Sequence, residues 1–273
     1  MKRRKLFGAL ISFALILSLV MTSTVTASAA TVKINKTKAT IYVGSSVTLK
    51  ITNTSKKVSW SSSDKSVAAV KSTGSKTAKV TAKAPGKATI TAKANGKKYK
   101  CVVTTKYKVG SRQNPAIATE GVTITTTNGK INYTAKNILV GKDAEDLFKT
   151  ISPEWWRFHN EYDSEELVGN KIVALEYDVK VLSGYDEHGF TGYDLINSYD
   201  IYNDKCNAAI EGVKSWMFDS TKDYIYRSDL ELFDGGAATT YEFLLVPEDV
   251  TAFSTYGYDK SYNKYWVKYN LPQ

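Results

Sequence analysis

The chain has 273 residues, with 37 Lys and Arg against 27 Asp and Glu, which gives a formal net charge of +10. Its hydrophobic content of 42% is enough for packed cores and excludes a fully disordered chain. The charge is divided unevenly, because residues 31–108 carry 18 Lys and one acid, Asp64, whereas residues 109–273 carry 15 basic and 26 acidic residues. This asymmetry predicts two domains with different surfaces, 31–108 and 109–273.

Residues 1–29 have the three-part layout of a secretory signal peptide. Residues 2–5 are basic, residues 6–21 are mostly apolar, and the small residues that follow predict cleavage after Ala29. An uncleaved anchor is the alternative, because the apolar run nearly reaches the length that spans a bilayer. We expect export, to the extracellular space or the cell wall, with no stable membrane anchor after cleavage.

The segment 31–108 alternates apolar and polar residues in short runs, which predicts half-buried strands. The runs are 40–43, 46–51, 57–60, 79–82, 88–92 and 99–103. Turn residues separate them and no helical stretch intervenes. The pattern therefore predicts an Ig-like β-sandwich of about seven strands, with Trp60 in its core.

Three parts of this segment strongly resemble the bacterial Ig-like group 2 domain: residues 43–49, 58–70 and 79–92. The resemblance covers residues 31–105. It implies a modular spacer or adhesion domain of extracellular bacterial proteins, and it implies no catalytic residues.

The density of Lys is higher than that fold needs. One interpretation is electrostatic attachment to an anionic polymer, such as wall teichoic acid, or to anionic lipid. The other is a solubilising surface that protects the edges of the sheets. Nucleic acid is not an expected partner, because the chain is exported and the 18 basic residues of this segment are all Lys.

The chain has two cysteines, Cys101 and Cys206, one in each charge segment. In an oxidising compartment they could form a disulfide between the domains. The apolar residues beside each of them favour two buried thiols.

Residues 109–273 are acidic and rich in aromatic residues, with 15 Tyr, 4 Trp and 7 Phe. A second β-sandwich is predicted, with a short helix at 143–149 that Asp143 would cap. The predicted strands are 122–127, 130–140, 171–182, 224–233, 239–247 and 262–269, with insertions at 150–170 and 183–225. The fold class is therefore all-β, two Ig-like sandwiches in tandem.

This second segment is also similar, through looser motifs, to uncharacterised Ig-like domains of exported Gram-positive proteins. The motifs are residues 110–116, a long central strand, and residues 232–236 before a strand that ends in Val246-Pro247. The resemblance implies a fold and an exported location, and no activity.

Signatures of catalysis are lacking in the sequence. His159 and His188 have neither triad nor metal-ligand spacing, and residues 200–204 lack the spacing of an EF-hand. We therefore expect no enzyme, no cofactor and no metal. Paired carboxylates at 165–166 and 186–187 leave a carbohydrate-active enzyme as an alternative, although such pairs are expected by chance among 26 acids.

The candidate binding residues are Trp155, Trp156 and Arg157, in the predicted loop 153–159. Large rings in a loop are either packed or form a binding platform, and adjacent residues of an extended chain face opposite ways. A platform would suit a sugar or a protein, and the alternative is a loop pinned to the sandwich by one Trp. The sequence thus predicts a secreted, non-enzymatic binding or adhesion protein that contacts a cell-wall polymer, a glycan or a surface protein. A purely structural spacer is the remaining alternative.

Overall fold

The structure is a computed structural model, and it describes residues 30–154, 156–157, 167–185, 189–190, 201–218, 224–225 and 231–273. Within these ranges the secondary structure includes eighteen β-strands, one ten-residue α-helix and one short 3-10 helix, and residues 153–154 and 156–157 are also helical. The strands form four sheets, two built from residues 33–106 and two from residues 116–270. The predicted all-β class, with two β-sandwiches in tandem, is confirmed.

The first sandwich pairs two four-stranded sheets, β1-β3-β6-β5 and β2-β8-β7-β4. Its strands are β1 Lys33–Ile34, β2 Lys38–Tyr42, β3 Ser46–Thr52, β4 Ser59–Ser62, β5 Ala68–Ser72, β6 Thr77–Ala82, β7 Gly86–Ala94 and β8 Lys97–Lys106. The inward positions of most strands are buried, as Leu49, Val80 and Ile90 illustrate with no exposed surface. The outward positions are therefore left to Lys, Thr and Ser, which is the alternation that the sequence predicts.

Two strands of this sandwich lack the predicted pattern. The strand β5 has the sequence Ala-Ala-Val-Lys-Ser, which does not alternate, and β1 is only two residues long. The strand predicted at 57–60 begins two residues later, as β4. Trp60 packs against core residues as predicted, although it is only half-buried.

The second sandwich pairs a six-stranded sheet, β10-β11-β12-β16-β14-β15, with a four-stranded sheet, β13-β17-β18-β9. Its strands are β9 Ala116–Ile117, β10 Val122–Thr125, β11 Gly129–Val140, β12 Asn170–Gly184, β13 Tyr202–Asn203, β14 Lys214–Phe218, β15 Tyr224–Ile225, β16 Ala237–Pro247, β17 Ala252–Tyr258 and β18 Lys264–Asn270. Both sheets contribute to one core, in which Val179 of β12 and Val267 of β18 are each 1% exposed.

The long central strand that the sequence predicts is β12, which lies between β11 and β16. Other boundaries differ from the prediction. Of the strand predicted at 224–233 the structure describes only β15 as strand, and Phe233 precedes a turn. Tyr262 lies in the turn before β18, and the strands β14 and β17 were not predicted.

The helix α1, Lys142–Ile151, covers the outer face of the six-stranded sheet with Ala144, Phe148 and Ile151. The prediction that Asp143 caps it is wrong, because the helix begins after Gly141, whose φ of 57° no bulky residue would favour. Asp143 instead lies in the first turn, where a carboxylate interacts favourably with the helix dipole.

Neither cysteine is in a disulfide. Cys101 is buried in the core of the first sandwich, and Cys206 is buried beside Trp266 in the second. Burial raises the pKa of Cys101, and the charge of Lys36 opposes that effect. Two buried thiols are what the flanking sequence favours.

Candidate functional site

The predicted aromatic site is only partly described. Trp155 lies outside the described residues. Trp156 and Arg157 are helical and not in a loop, and the amide of Trp156 donates to the carbonyl of Ser152 at 3.0 Å. Successive residues of a helix diverge by about 100°, so the argument from opposite faces of an extended chain does not apply here.

The ring of Trp156 is half-buried against α1. It meets Phe148 edge-on, with ring centroids 5.8 Å apart, and the Nζ of Lys149 lies 4.7 Å from its centroid. Arg157 is exposed. Trp156 therefore packs on the helix, while both histidines and the carboxylate pairs at 165–166 and 186–187 lie outside the described residues.

A basic groove lies on the outer face of β5 and β6, and we call it the lysine groove. It has a volume of about 500 Å³, and its lining residues are Ala69, Val70, Lys71, Thr73, Lys79, Thr81 and Lys83. Lys71 and Lys79 are directly opposite each other in the antiparallel register. Like charges in that arrangement destabilise a sheet, so the groove is not built for stability alone.

Residues 31–108 contain a single acid for their 18 lysines. The single acid of residues 31–108, Asp64, accepts hydrogen bonds from the hydroxyl and the amide of Ser66 and from the amide of Val67. These bonds lower the pKa of Asp64, and its carboxylate stabilises the local turn at residues 64–67. Within the described ranges every ion pair lies in the second sandwich, as Lys136 with Glu176 illustrates.

The opposite sheet of the first sandwich is basic as well. Lys93 of β7 lies opposite Lys98 of β8, and both are exposed. Further lysines occupy the outward positions of the same sheet at Lys38, Lys87, Lys100 and Lys106. The positive surface therefore extends over both outer faces of the module.

A second concave site lies at one end of the second sandwich, and we call it the tyrosine cleft. It has a volume of about 200 Å³ between the β10–β11 and β17–β18 turns. Its lining residues are Ile124, Thr126, Thr127, Asn128, Ile131, Tyr256, Gly257, Tyr258, Asp259 and Tyr262. The sequence prediction missed it, and the available signal was the density of Tyr between 256 and 265.

Among the described residues, no three His, Cys, Asp or Glu side chains are grouped to hold a metal ion. In the same ranges, no helix has the length and the apolar character needed to cross a membrane.

The fold and the charge pattern define a protein of two β-sandwich modules, of which the first is strongly basic. Residues 20–104 match the family model of the bacterial Ig-like domain (group 2). The first module is a bacterial Ig-like group 2 domain, as its motifs predict. The match begins within the predicted signal peptide and ends inside β8.

Solved structures of the S-layer protein SbsC and of titin are similar to parts of this chain. Domains 4 and 5 of the S-layer protein SbsC are 25% identical over 28% of this chain and 44% of that one, with a TM-score of 0.26. Domains 5–6 of SbsC are 14% identical over 89% of this chain and 98% of that one, with a TM-score of 0.27. The I9–I11 tandem of titin is 10% identical over 89% of this chain and 66% of that one, with a TM-score of 0.25. The chain thus spans less than half of the first of these structures, and no curated protein matches it.

Proposed function

We propose that the protein is an exported, non-enzymatic surface protein whose bacterial Ig-like module holds an anionic polymer of the cell wall. The observation that carries this proposal is the lysine groove, where Lys71 and Lys79 face each other with no carboxylate in the lining. A phosphate of a polymer placed between them would relieve the repulsion that the sheet otherwise bears.

Lys suits a polymer with repeated anionic groups better than a single anion that must be held in one orientation. Its ammonium group is a compact point charge on a flexible stem, without the planar fork through which Arg fixes one orientation of phosphate. Each exposed contact contributes little, about 0.2–1 kcal/mol, but a polymer meets many of them at once. Binding should therefore be strong at low salt, should depend little on the detailed chemistry of the polymer, and should weaken as the ionic strength rises.

The first prediction concerns the lysine groove. The full chain with Lys71→Gln, Lys79→Gln and Lys83→Gln should bind purified wall that contains teichoic acid about 3-fold to about 100-fold more weakly at low salt, the range given by three exposed contacts. Sedimentation of the protein with wall, from about 0.02 M to about 0.5 M NaCl, measures the change, and the parent chain should lose its binding across that range.

The matched control carries the same change of charge in the second module, at Lys130, Lys180 and Lys205, which are all exposed. An equal loss in the groove variant and the control would show an effect of net charge only, and would contradict a groove. Absence of wall binding at low salt would favour the structural spacer. Tighter binding to vesicles of anionic lipid than to cell wall would contradict a wall polymer as the ligand and would indicate anionic lipid instead.

A further inference from the structure

We propose that the tyrosine cleft of the second sandwich is a glycan site, which takes one neutral pyranose ring of a sugar chain. The proposal goes beyond the lysine groove and uses other residues of the other module. Its occupant is uncharged, whereas that of the groove is anionic.

The first observation is the exposure of two tyrosines at one turn. Tyr262 is 76% exposed and Tyr258 is 50% exposed, and they are the two most exposed tyrosines of the described residues. Large aromatic rings at the surface leave apolar area exposed to water unless a binding partner covers them. Two of them at one turn, both lining a concave cleft, indicate a surface that is kept for binding.

The second observation is that the turn is strained and yet firmly held. Tyr262 has a φ of 57°, a left-handed conformation that is unfavourable for a residue with a large side chain. Its amide donates to the carbonyl of Asp259 at 2.8 Å, and the amide of Asp259 donates to the carbonyl of Asn263 at 2.9 Å. The backbone that carries the ring of Tyr262 is therefore held in one conformation.

Asp259 adds to the rigidity of this turn. Its Oδ1 accepts the amides of Ser261 at 2.9 Å and of Asn263 at 3.0 Å. Partial burial would raise the pKa of Asp259, but those hydrogen bonds prevail and lower it. The charge of Lys108 lowers the pKa of Asp259 as well, so the carboxylate is ionised at neutral pH. Asp259 is the single charged residue of the lining, and its negative charge disfavours an anionic sugar.

The opposite wall supplies hydrogen-bonding groups. Thr127 and Asn128 are exposed there, with a hydroxyl and an amide that suit the hydroxyl rim of a sugar. The amide of Lys260 donates to the carbonyl of Thr125 at 2.8 Å and joins the two turns, which fixes the width of the cleft. A pyranose has an apolar face for stacking and a polar rim, and these rings and polar groups match both.

The size of the cleft limits the ligand. A volume of about 200 Å³ lies below the range of about 300–1,000 Å³ that is typical of sites for drug-sized molecules. It therefore suits one sugar unit of a longer chain. So small an open site implies weak binding, with a Kd on the order of 1 mM or somewhat below.

The experiment titrates the full chain with cellotriose, with tri-N-acetylchitotriose and with a trisaccharide of galacturonic acid, followed by NMR or calorimetry. At least one of the two neutral sugars should bind, and the acidic sugar should bind more weakly. Tyr262→Asn removes the ring but keeps a residue that tolerates the left-handed turn. This variant should weaken binding by about 5-fold or more, without a loss of thermal stability, if stacking contributes on the order of 1 kcal/mol.

The control is Tyr42→Ala, at an exposed tyrosine of the first module, which should leave sugar binding unchanged. The proposal is overturned if neither neutral sugar binds, if Tyr262→Asn binds as well as the parent, or if the acidic sugar binds best. Wall sedimentation at low salt separates the two proposals, because Tyr262→Asn should retain the binding that the lysine groove provides.

Discussion

Three buried tyrosines give the core of the second sandwich an unusual polarity. Tyr133, Tyr177 and Tyr269 are each at most 1% exposed, and their rings meet edge-on, at 6.2 Å for Tyr133 with Tyr177 and 6.3 Å for Tyr177 with Tyr269. Thr255 and Glu242 are buried beside them. The phenolic groups of the three tyrosines must stay neutral in this buried environment, because burial penalises the charged form.

Alkaline pH should therefore unfold this sandwich. Burial, as the largest cause, raises the pKa of Tyr269 to about 12 from the ordinary 10.0, and it raises those of Tyr133 and Tyr177 in the same direction. The folded state thus holds the Tyr269 proton more tightly than the unfolded state does. The stabilisation is complete below about pH 10 and is lost as the pH rises to about 12, at a cost of about 3 kcal/mol from Tyr269 alone.

Urea unfolding at pH values between about 8 and about 12 measures this loss. Tyr269→Phe keeps the ring but cannot ionise, so its free energy of unfolding should fall less over the same range. An equally steep fall in that variant would assign the alkaline sensitivity to other groups.

At single positions, the sequence predicts burial better than it predicts sites. Trp60 packs against core residues as expected, because an alternating context indicates an inward position. Trp216 and Trp266 also pack against core residues. The tyrosine cleft was not predictable in this way, since it joins Asn128 to Tyr262 across two separate turns. No pattern within one strand encodes a cleft that is lined from two turns.

At the scale of elements, α1 is bound to the sheet by a cluster of rings around Phe148. This ring stacks on Phe243 at 4.2 Å and meets Phe218 at 5.5 Å and Trp216 at 6.0 Å. The central residues of the helix, 143–149, are predictable from the sequence, but the start of the helix depends on the backbone conformation of Gly141. Trp156 extends the same ring cluster.

Removal of the central ring should destabilise the module strongly. Phe148→Ala leaves a cavity between α1 and the sheet, and we expect it to lower the free energy of unfolding by about 3–5 kcal/mol. Chemical denaturation followed by Trp fluorescence measures it. Asp146→Ala, on the exposed face of the same helix, removes only surface pairs with lysines and should lower the free energy of unfolding far less. A similar small cost for both variants would show that the helix contributes little to the fold.

At the scale of the whole molecule, the two modules carry opposite charges on a short connection. Residues 31–108 have a balance of +17 and residues 109–273 a balance of −11. The strand β8 ends at Lys106, and the carbonyl of Gly110 already accepts the amide of Trp266 at 2.7 Å. Gly110 has a φ of 83°, and a Cβ there would overlap the ring of Tyr265, so the junction is fixed to the second sandwich at this glycine.

Opposite charges on so short a connection should draw the modules together when salt is low. Screening acts over about 30 Å at 0.01 M ionic strength but only about 3 Å at 1 M, so the attraction should vanish across that range. Small-angle scattering should show a larger radius of gyration at high salt, and the variant with Gln at Lys71, Lys79 and Lys83 should respond less. A radius that is independent of salt would mean that the junction fixes the modules rigidly. In the attractive case, an anionic wall polymer must displace the acidic module from the lysines, so wall binding and extension of the molecule should occur together.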